Sequence, residues 1–355
     1  MRLVNIKYVE EGSILAKPIR NLNGNVLLSK GVKLTAQYLE RLKELGIETL
    51  FIEDERFKDL EIHPLISDKT RKMAHNTIRS ITLTLEETKG EAIDVDSVRT
   101  AVLNIINDLL YSYDILNNLA DIAGHDEYTF EHSINTTVLA LVLGIGKGYD
   151  QTKLLELGMG TIMHDIGKKD ISQEILKKKG KLSPEEFAEV KKHPLVGYEC
   201  MRKNQDFNLN SAHVALQHHE KWNGEGYPRG LKNTEIHELG RIAAVADVYE
   251  ALVSKRSYRG AYQPYEAYEY ILSLSGHQFD PEIVKIFARH VAVYPIGSGV
   301  KLSNGWRGNV IKQNRGLPSR PVVRIIHNGV ESLADPFDVD LSKILNVVIE
   351  KVENQ

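Results

Sequence analysis

MHDIGKK, residues 163–169, closes a stretch of helical pattern over 151–164 on an adjacent histidine and aspartate. A regular helix would aim His164 and Asp165 about 100° apart. At a helix end, with the chain turning at Ile166-Gly167, both can reach one site. Working outward, His132, His193, His218, His219 and Asp247 each fall in another stretch of helical pattern, roughly 25 to 32 residues from the next. Successive helices of a bundle can each aim one ligand at a common centre. Neutral imidazoles and carboxylates suit Fe, Mn and Zn rather than Mg or Ca. The pattern predicts a mainly α fold around a centre of more than one metal ion, most naturally a hydrolytic one.

The second chemical stretch is QHHEKWNGEGYPRG, residues 217–230. Paired histidines followed by a Gly-rich turn fit two ligands at the end of a helix. Gly224 and Gly226 permit a tight loop, which can bring Tyr227 near a substrate. Glu220 is placed to orient an imidazole. Trp222 either stacks on a base or covers the base of the loop. Taken alone, MHDIGKK could be a helix end with basic residues on its dipole, and an HH pair could be ordinary surface. Their co-occurrence argues for chemistry.

Composition sets outer limits. The 355 residues favour two or three domains. A hydrophobic content of 42% supports a sizeable core, and a net charge of -3 gives no footprint for a long nucleic acid. The single cysteine, Cys200, excludes an internal disulfide. The opening MRLVNIKYVEEGS lacks the apolar core of a signal peptide. Val138 to Ile145 is too short to span a bilayer, so a cytoplasmic protein is expected.

Four segments are predicted. Residues 1–56 form a small β/α unit, with a hairpin turn at Asn23-Gly24 and a short helix from a Thr35 cap to Leu45, stopped by Gly46. Residues 57–97 are a helical connector and 98–290 a helical catalytic domain. Residues 291–355 are a small β domain that could close as a barrel, with a turn at Asn304-Gly305. Ser183, Pro184 and Glu186 read as a capping box. The helical spacing over 68–122 offers a surface on which a homodimer could form.

These motifs resemble the HD-GYP family, the bacterial cyclic-di-GMP phosphodiesterase branch of the HD phosphohydrolases. The resemblance covers roughly residues 98–290. It rests on EYTFEHS (127–133), HDIGK (164–168), LKKKGKLSPEEFAEVKKHPLVGYE (176–199), HHEKWNGEGYP (218–228), RIAAVADVYEALVSKRSYR (241–259) and GHQFDP (276–281). It implies an HD-type helical bundle with small β-rich domains at both termini. It also implies metal ligands at His132, His164, Asp165, His193, His218, His219 and Asp247, with Asp165 bridging two ions of Fe or Mn. Lys168 would contact the scissile phosphate, Gly226, Tyr227 and Pro228 would line the substrate, and Arg256 and Arg259 would meet its other phosphate. The implied reaction is attack on cyclic-di-GMP by a hydroxide bridging the two metals, giving linear pGpG.

Some relatives carry a glutamate four residues before the first histidine and hold a third ion. Here that position is Tyr128, with Glu127 displaced by about 100° on a helix, so two ions are expected rather than three. Two other readings stay open. One is an HD phosphohydrolase acting on another cyclic dinucleotide or an alarmone; the other is a module that binds cyclic dinucleotide without turnover.

Overall fold

The protein is described by a computed structural model, which defines residues 1–20, 26–62, 64–87, 93–111, 130–178, 180–254 and 261–353. The described chain divides into two compact units. One holds residues 1–64 and 291–355, the other residues 65–111 and 130–290. The two terminal segments, read from the sequence as separate small domains, thus lie within one compact unit.

In that first unit, strands β1 (Arg2–Asn5) and β4 (Thr49–Ile52) pair antiparallel, as do β2 (Ile19–Arg20) and β3 (Val26–Leu28). The expected turn at Asn23-Gly24 lies outside the described residues, but the strands on either side of it pair. Helix α1 (Ala36–Glu44) starts where the Thr35 hydroxyl accepts the N–H of Tyr38. It buries Leu39 and Leu42 against Val4, Leu15 and Leu50. The C-terminal segment is a five-stranded antiparallel sheet. Its strands are β5 (Gly299–Leu302), β6 (Arg307–Lys312), β7 (Val322–His327), β8 (Ser332–Asp340) and β9 (Ile349–Val352), in the order β8-β7-β6-β5-β9. That order leaves β8 and β9 as edges among the described strands rather than closing a ring. Gly305 takes the positive φ, +89°, that its place in the β5–β6 turn demands. The Arg324 guanidinium holds Asp59 through two bonds of 2.5 and 2.9 Å, tying the sheet to the N-terminal segment.

The second unit is all helical. Helix α2 (Asp68–Glu87) packs on α3 (Val95–Tyr111). Helix α4 (Phe130–Gly146) is buried from His132 to Gly144 without a break, so it has no solvent face. A helix buried all round belongs in a core, and α4 contacts α2, α5 (Gln151–Ile162), α10 (Glu238–Val253) and α12 (Pro281–His290). Between α5 and α10 lie the short α6 (Gln173–Leu176), then α7 (Pro184–Val190), α8 (His193–Lys203) and α9 (Leu209–Gln217); α11 (Pro264–Ser273) precedes α12. The expected box caps α7: Glu186 N–H donates to the Ser183 hydroxyl at 3.2 Å, and Ser183 N–H to the Glu186 carboxylate at 2.6 Å. Among the described residues, no helix is long and apolar enough to cross a membrane.

Candidate metal centre

Five elements converge on one point. His132 comes from the first turn of α4, and His193 is the first residue of α8. His218 caps the end of α9, with His219 following it, and Asp247 lies on α10. His164 and Asp165 occupy the turn between α5 and a 3-10 helix, Ile166–Asp170, so the chain bends where the two side chains must share a site. Gly167 makes this bend possible. A Cβ there would fall 2.0 Å from the carbonyl oxygen of His193, so only glycine lets the turn seat against the start of α8.

The seven side chains gather into overlapping groups: His193, His218 and His219; His132, His164 and Asp247; His164, Asp165 and His218. Within each group the potential ligand atoms lie no more than 4.8 Å apart. Asp165 faces both ways. Its Oδ1 is 3.5 Å from His193 Nε2 and 3.9 Å from His218 Nε2. Its Oδ2 is 3.5 Å from His164 Nε2 and 3.7 Å from His132 Nε2. Lys168 Nζ also reaches Oδ2, at 2.5 Å.

The imidazoles are oriented in two different ways. Nδ1 of His164 lies 2.6 Å from the carbonyl of Thr161, Nδ1 of His193 2.7 Å from Val190, and Nδ1 of His218 2.8 Å from Ala215. A carbonyl only accepts, so each Nδ1 carries the proton and each Nε2 presents a lone pair to the centre. His132 instead bonds through Nδ1 to the carboxylate of Glu250, which is 1% exposed. Glu250 is itself held by the Ser254 hydroxyl at 2.5 Å. A carboxylate behind an imidazole fixes the ring and raises its basicity toward a metal.

Two buried atoms confirm that the donor set suits a cation. His164 Nε2 and Asp165 Oδ1 have no hydrogen-bond partner, an unfavourable state for a buried polar atom unless something else satisfies it. Burial opposes ionisation of Asp165, but the Lys168 ammonium and the surrounding imidazoles hold its carboxyl well below the usual range. Burial likewise opposes ionisation of Asp247, and bonding to His132 overrides it in the same direction. Burial lowers His193 to about 4 and His219 to about 3, and pushes His218 well below its ordinary value. These rings are neutral at pH 7, the form that binds metal. Burial also acts to lower His132, but Glu250 and Asp247 on either side outweigh it and raise it to about 10. Positive charge is wanted between those two carboxylates.

The Gly-rich loop is built against the paired histidines. A Cβ on Gly226 would lie 2.3 Å from the Lys221 nitrogen and 2.5 Å from Glu220 Cα, so the loop closes only with glycine there. Tyr227 N–H donates to the His219 carbonyl at 3.2 Å, and the two rings sit 4.8 Å apart. Glu220 does not orient an imidazole as expected. Its two oxygens accept the backbone N–H groups of Arg229 and Leu231 at 2.8 and 3.0 Å, so it braces the loop. Trp222 also supports the loop: its N–H donates to Gln278, and its ring lies 5.7 Å from the Arg241 guanidinium. GHQFDP therefore acts as a strut, through Gln278 and the Asp280–Arg241 ion pair.

Residues 115–283 match the HD domain family, and residues 299–355 match the KOW domain associated with HD domains. A cyclic di-GMP phosphodiesterase of Pseudomonas aeruginosa is 32% identical over 250 residues, 70% of this chain and 60% of that protein. One from Thermotoga maritima is 39% identical over 177 residues, 50% of this chain and 48% of that protein. Residues 115–283 thus carry an HD domain, similar to that of the HD-GYP phosphodiesterases. The chain spans about half to three fifths of the length of these relatives. A solved HD-GYP-type protein of Bdellovibrio bacteriovorus superposes with a TM-score of 0.53 at 17% identity, covering 80% of this chain and 97% of that one; it shares the fold.

The seven residues expected as HD-GYP metal ligands are brought together, with Lys168, Gly226 and Tyr227 beside them. Pro228, which follows Tyr227 through a cis bond, is exposed. Arg256 and Arg259 lie outside the described residues, as do Glu127 and Tyr128. The sequence reading missed Glu250. Its signal was a second acid in the apolar run AVADVYEALV, three residues after Asp247 and so on the same helix face.

Proposed function

We propose that this HD-GYP unit is a metal-dependent phosphodiesterase that opens a 3′–5′ bond of cyclic-di-GMP and releases linear pGpG. The observation that carries the reading is the placement of Asp165, whose two oxygens address two different sets of imidazoles. That is the disposition of a carboxylate shared by two ions. His132, His164 and Asp247 would hold one, His193, His218 and His219 the other; the imidazoles suit Fe, and the carboxylates of Asp165 and Asp247 admit Mn. When bound, such a pair supplies Lewis acidity at phosphorus and water made nucleophilic near neutral pH.

The chain's own groups do the rest. Glu250 and the three backbone carbonyls fix the rings, so the centre need not reorganise as charge develops. Lys168, anchored at 2.5 Å on Asp165, places an ammonium where the phosphoryl oxygens gain charge. The loop closed by Gly226 brings Tyr227 to the side of His219, where the sugar or base would lie. Arg256 and Arg259 would take the second phosphate through planar, bidentate donors.

The test is turnover of cyclic-di-GMP by protein purified without oxygen, with metal content measured on the same sample. About two Fe or Mn per chain and conversion to pGpG are expected. A loaded centre without turnover would overturn the substrate. Neither metal nor turnover after reconstitution would favour a binding module.

A further inference from the structure

Beside the centre lies a feature that the reaction as drawn does not use. Phe187, on α7, is 44% exposed. Single exposed apolar side chains are ordinary, but this one is coupled to the site. Its ring meets Tyr227 edge-on, with centroids 6.3 Å apart and planes at 80°, and Tyr227 in turn lies against His219. A row of rings therefore runs from an imidazole of the centre to a partly exposed phenyl ring. Lys191 stands over this row, its Nζ 4.7 Å from the Phe187 centroid and 5.5 Å from that of Tyr227. Among the described residues, Lys191 makes an ion pair with no carboxylate. The first two acids of α7 are engaged elsewhere: Glu186 with Lys178 and the Ser183 N–H, and Glu185 with the Ser183 hydroxyl.

We propose that Phe187 and Lys191 form a platform for the part of the nucleotide that lies outside the metal centre, Phe187 stacking on a purine and Lys191 meeting the attached phosphate. This rests on the phosphodiesterase reading and adds to it a wall that selects for a base. An ammonium seated on π faces keeps its charge available for an anion, and the rings beneath hold it in place. Base–aromatic stacking needs one accessible ring face, and Phe187 offers the exposed ring on this wall.

Equilibrium binding of GMP and of inorganic phosphate to the manganese-loaded full chain tests the platform separately from turnover. Phe187→Ala should weaken GMP about tenfold while leaving phosphate within about twofold, and Phe187→Tyr should restore it. Lys191→Gln should weaken GMP by about fivefold and Lys191→Arg should recover most of the loss. With cyclic-di-GMP, the same variants should raise KM more than they lower kcat. Wild-type protein that binds GMP but never turns over cyclic-di-GMP would sink the phosphodiesterase reading and leave the platform standing. GMP that binds no variant differently, or does not bind at all, would overturn the platform. So would equal losses for GMP and phosphate with a lowered melting temperature, which would make α7 merely structural.

Discussion

His164, His193 and His218 are held by their own backbone, each Nδ1 on a carbonyl three residues earlier. His132 is held by Glu250, 118 residues away on another helix. The first side of the centre is a set of local devices that work once a helix end has formed. The second exists only when α4 and α10 have packed. The electrostatics differ too, with His193 and His218 kept neutral by burial and His132 drawn toward its charged form by two carboxylates. Asp165 faces both His193 and His218 with one oxygen and His132 with the other.

Removing that shared group should have the largest effect. Asp165→Ala should lower cyclic-di-GMP turnover by at least about a thousandfold and strip most of the metal, read by elemental analysis on the assayed sample. Lys168→Ala touches only the Oδ2 side and no imidazole. It should cut kcat by about a hundredfold or more while metal content stays at the wild-type level; equal metal loss in both variants would refute the role given to Lys168.

Glu250→Gln isolates the remote tether. It should weaken metal binding by about 10–100-fold with a smaller effect on melting temperature, and an unchanged affinity would show that packing alone orients His132. Gly167→Ala strikes the local side, since its Cβ would meet the His193 carbonyl. We expect a loss of about 1–3 kcal/mol in stability from the forced backbone shift, measured by urea unfolding, together with impaired metal loading.

The smallest effect is on pH. His193 and His219 have folded values of about 4 and 3, below the ordinary 6.5. Between pH 4 and 6.5 the unfolded chain therefore binds more protons than the folded one, and stability rises with pH there. Chelator-treated protein should be less stable at pH 5 than at pH 7. His132, raised to about 10, contributes no slope in that window because it is protonated in both states; its stabilising contribution is lost only as pH rises from 6.5 through 10.

The legible part of this molecule was its local part. Thr35, Ser183 and Glu186 announced helix starts because a cap depends on neighbours in sequence. The clustering of the seven candidate ligands follows residue type, order and family likeness, each residue sitting at a helix end or on a helix face. What escaped depended on distant partners. Glu250 declares itself only when His132 is beside it. Glu220 sits next to the histidines in sequence, yet bonds to Arg229 and Leu231 because the loop folds back over it. The joining of the two terminal segments depends on pairs such as Arg324 with Asp59, 265 residues apart, for which no periodicity gives warning.

The unequal tethers also set a schedule for a chain made from its N-terminus. Once residue 219 has been synthesised, His164, Asp165, His193, His218 and His219 are all present, and three of the imidazoles already have their carbonyl anchors within reach. His132, although made earlier, must wait for Asp247 and Glu250, a delay of about 2–6 s at ordinary rates of synthesis. The half of the centre that appears first in the sequence is thus the last to be finished.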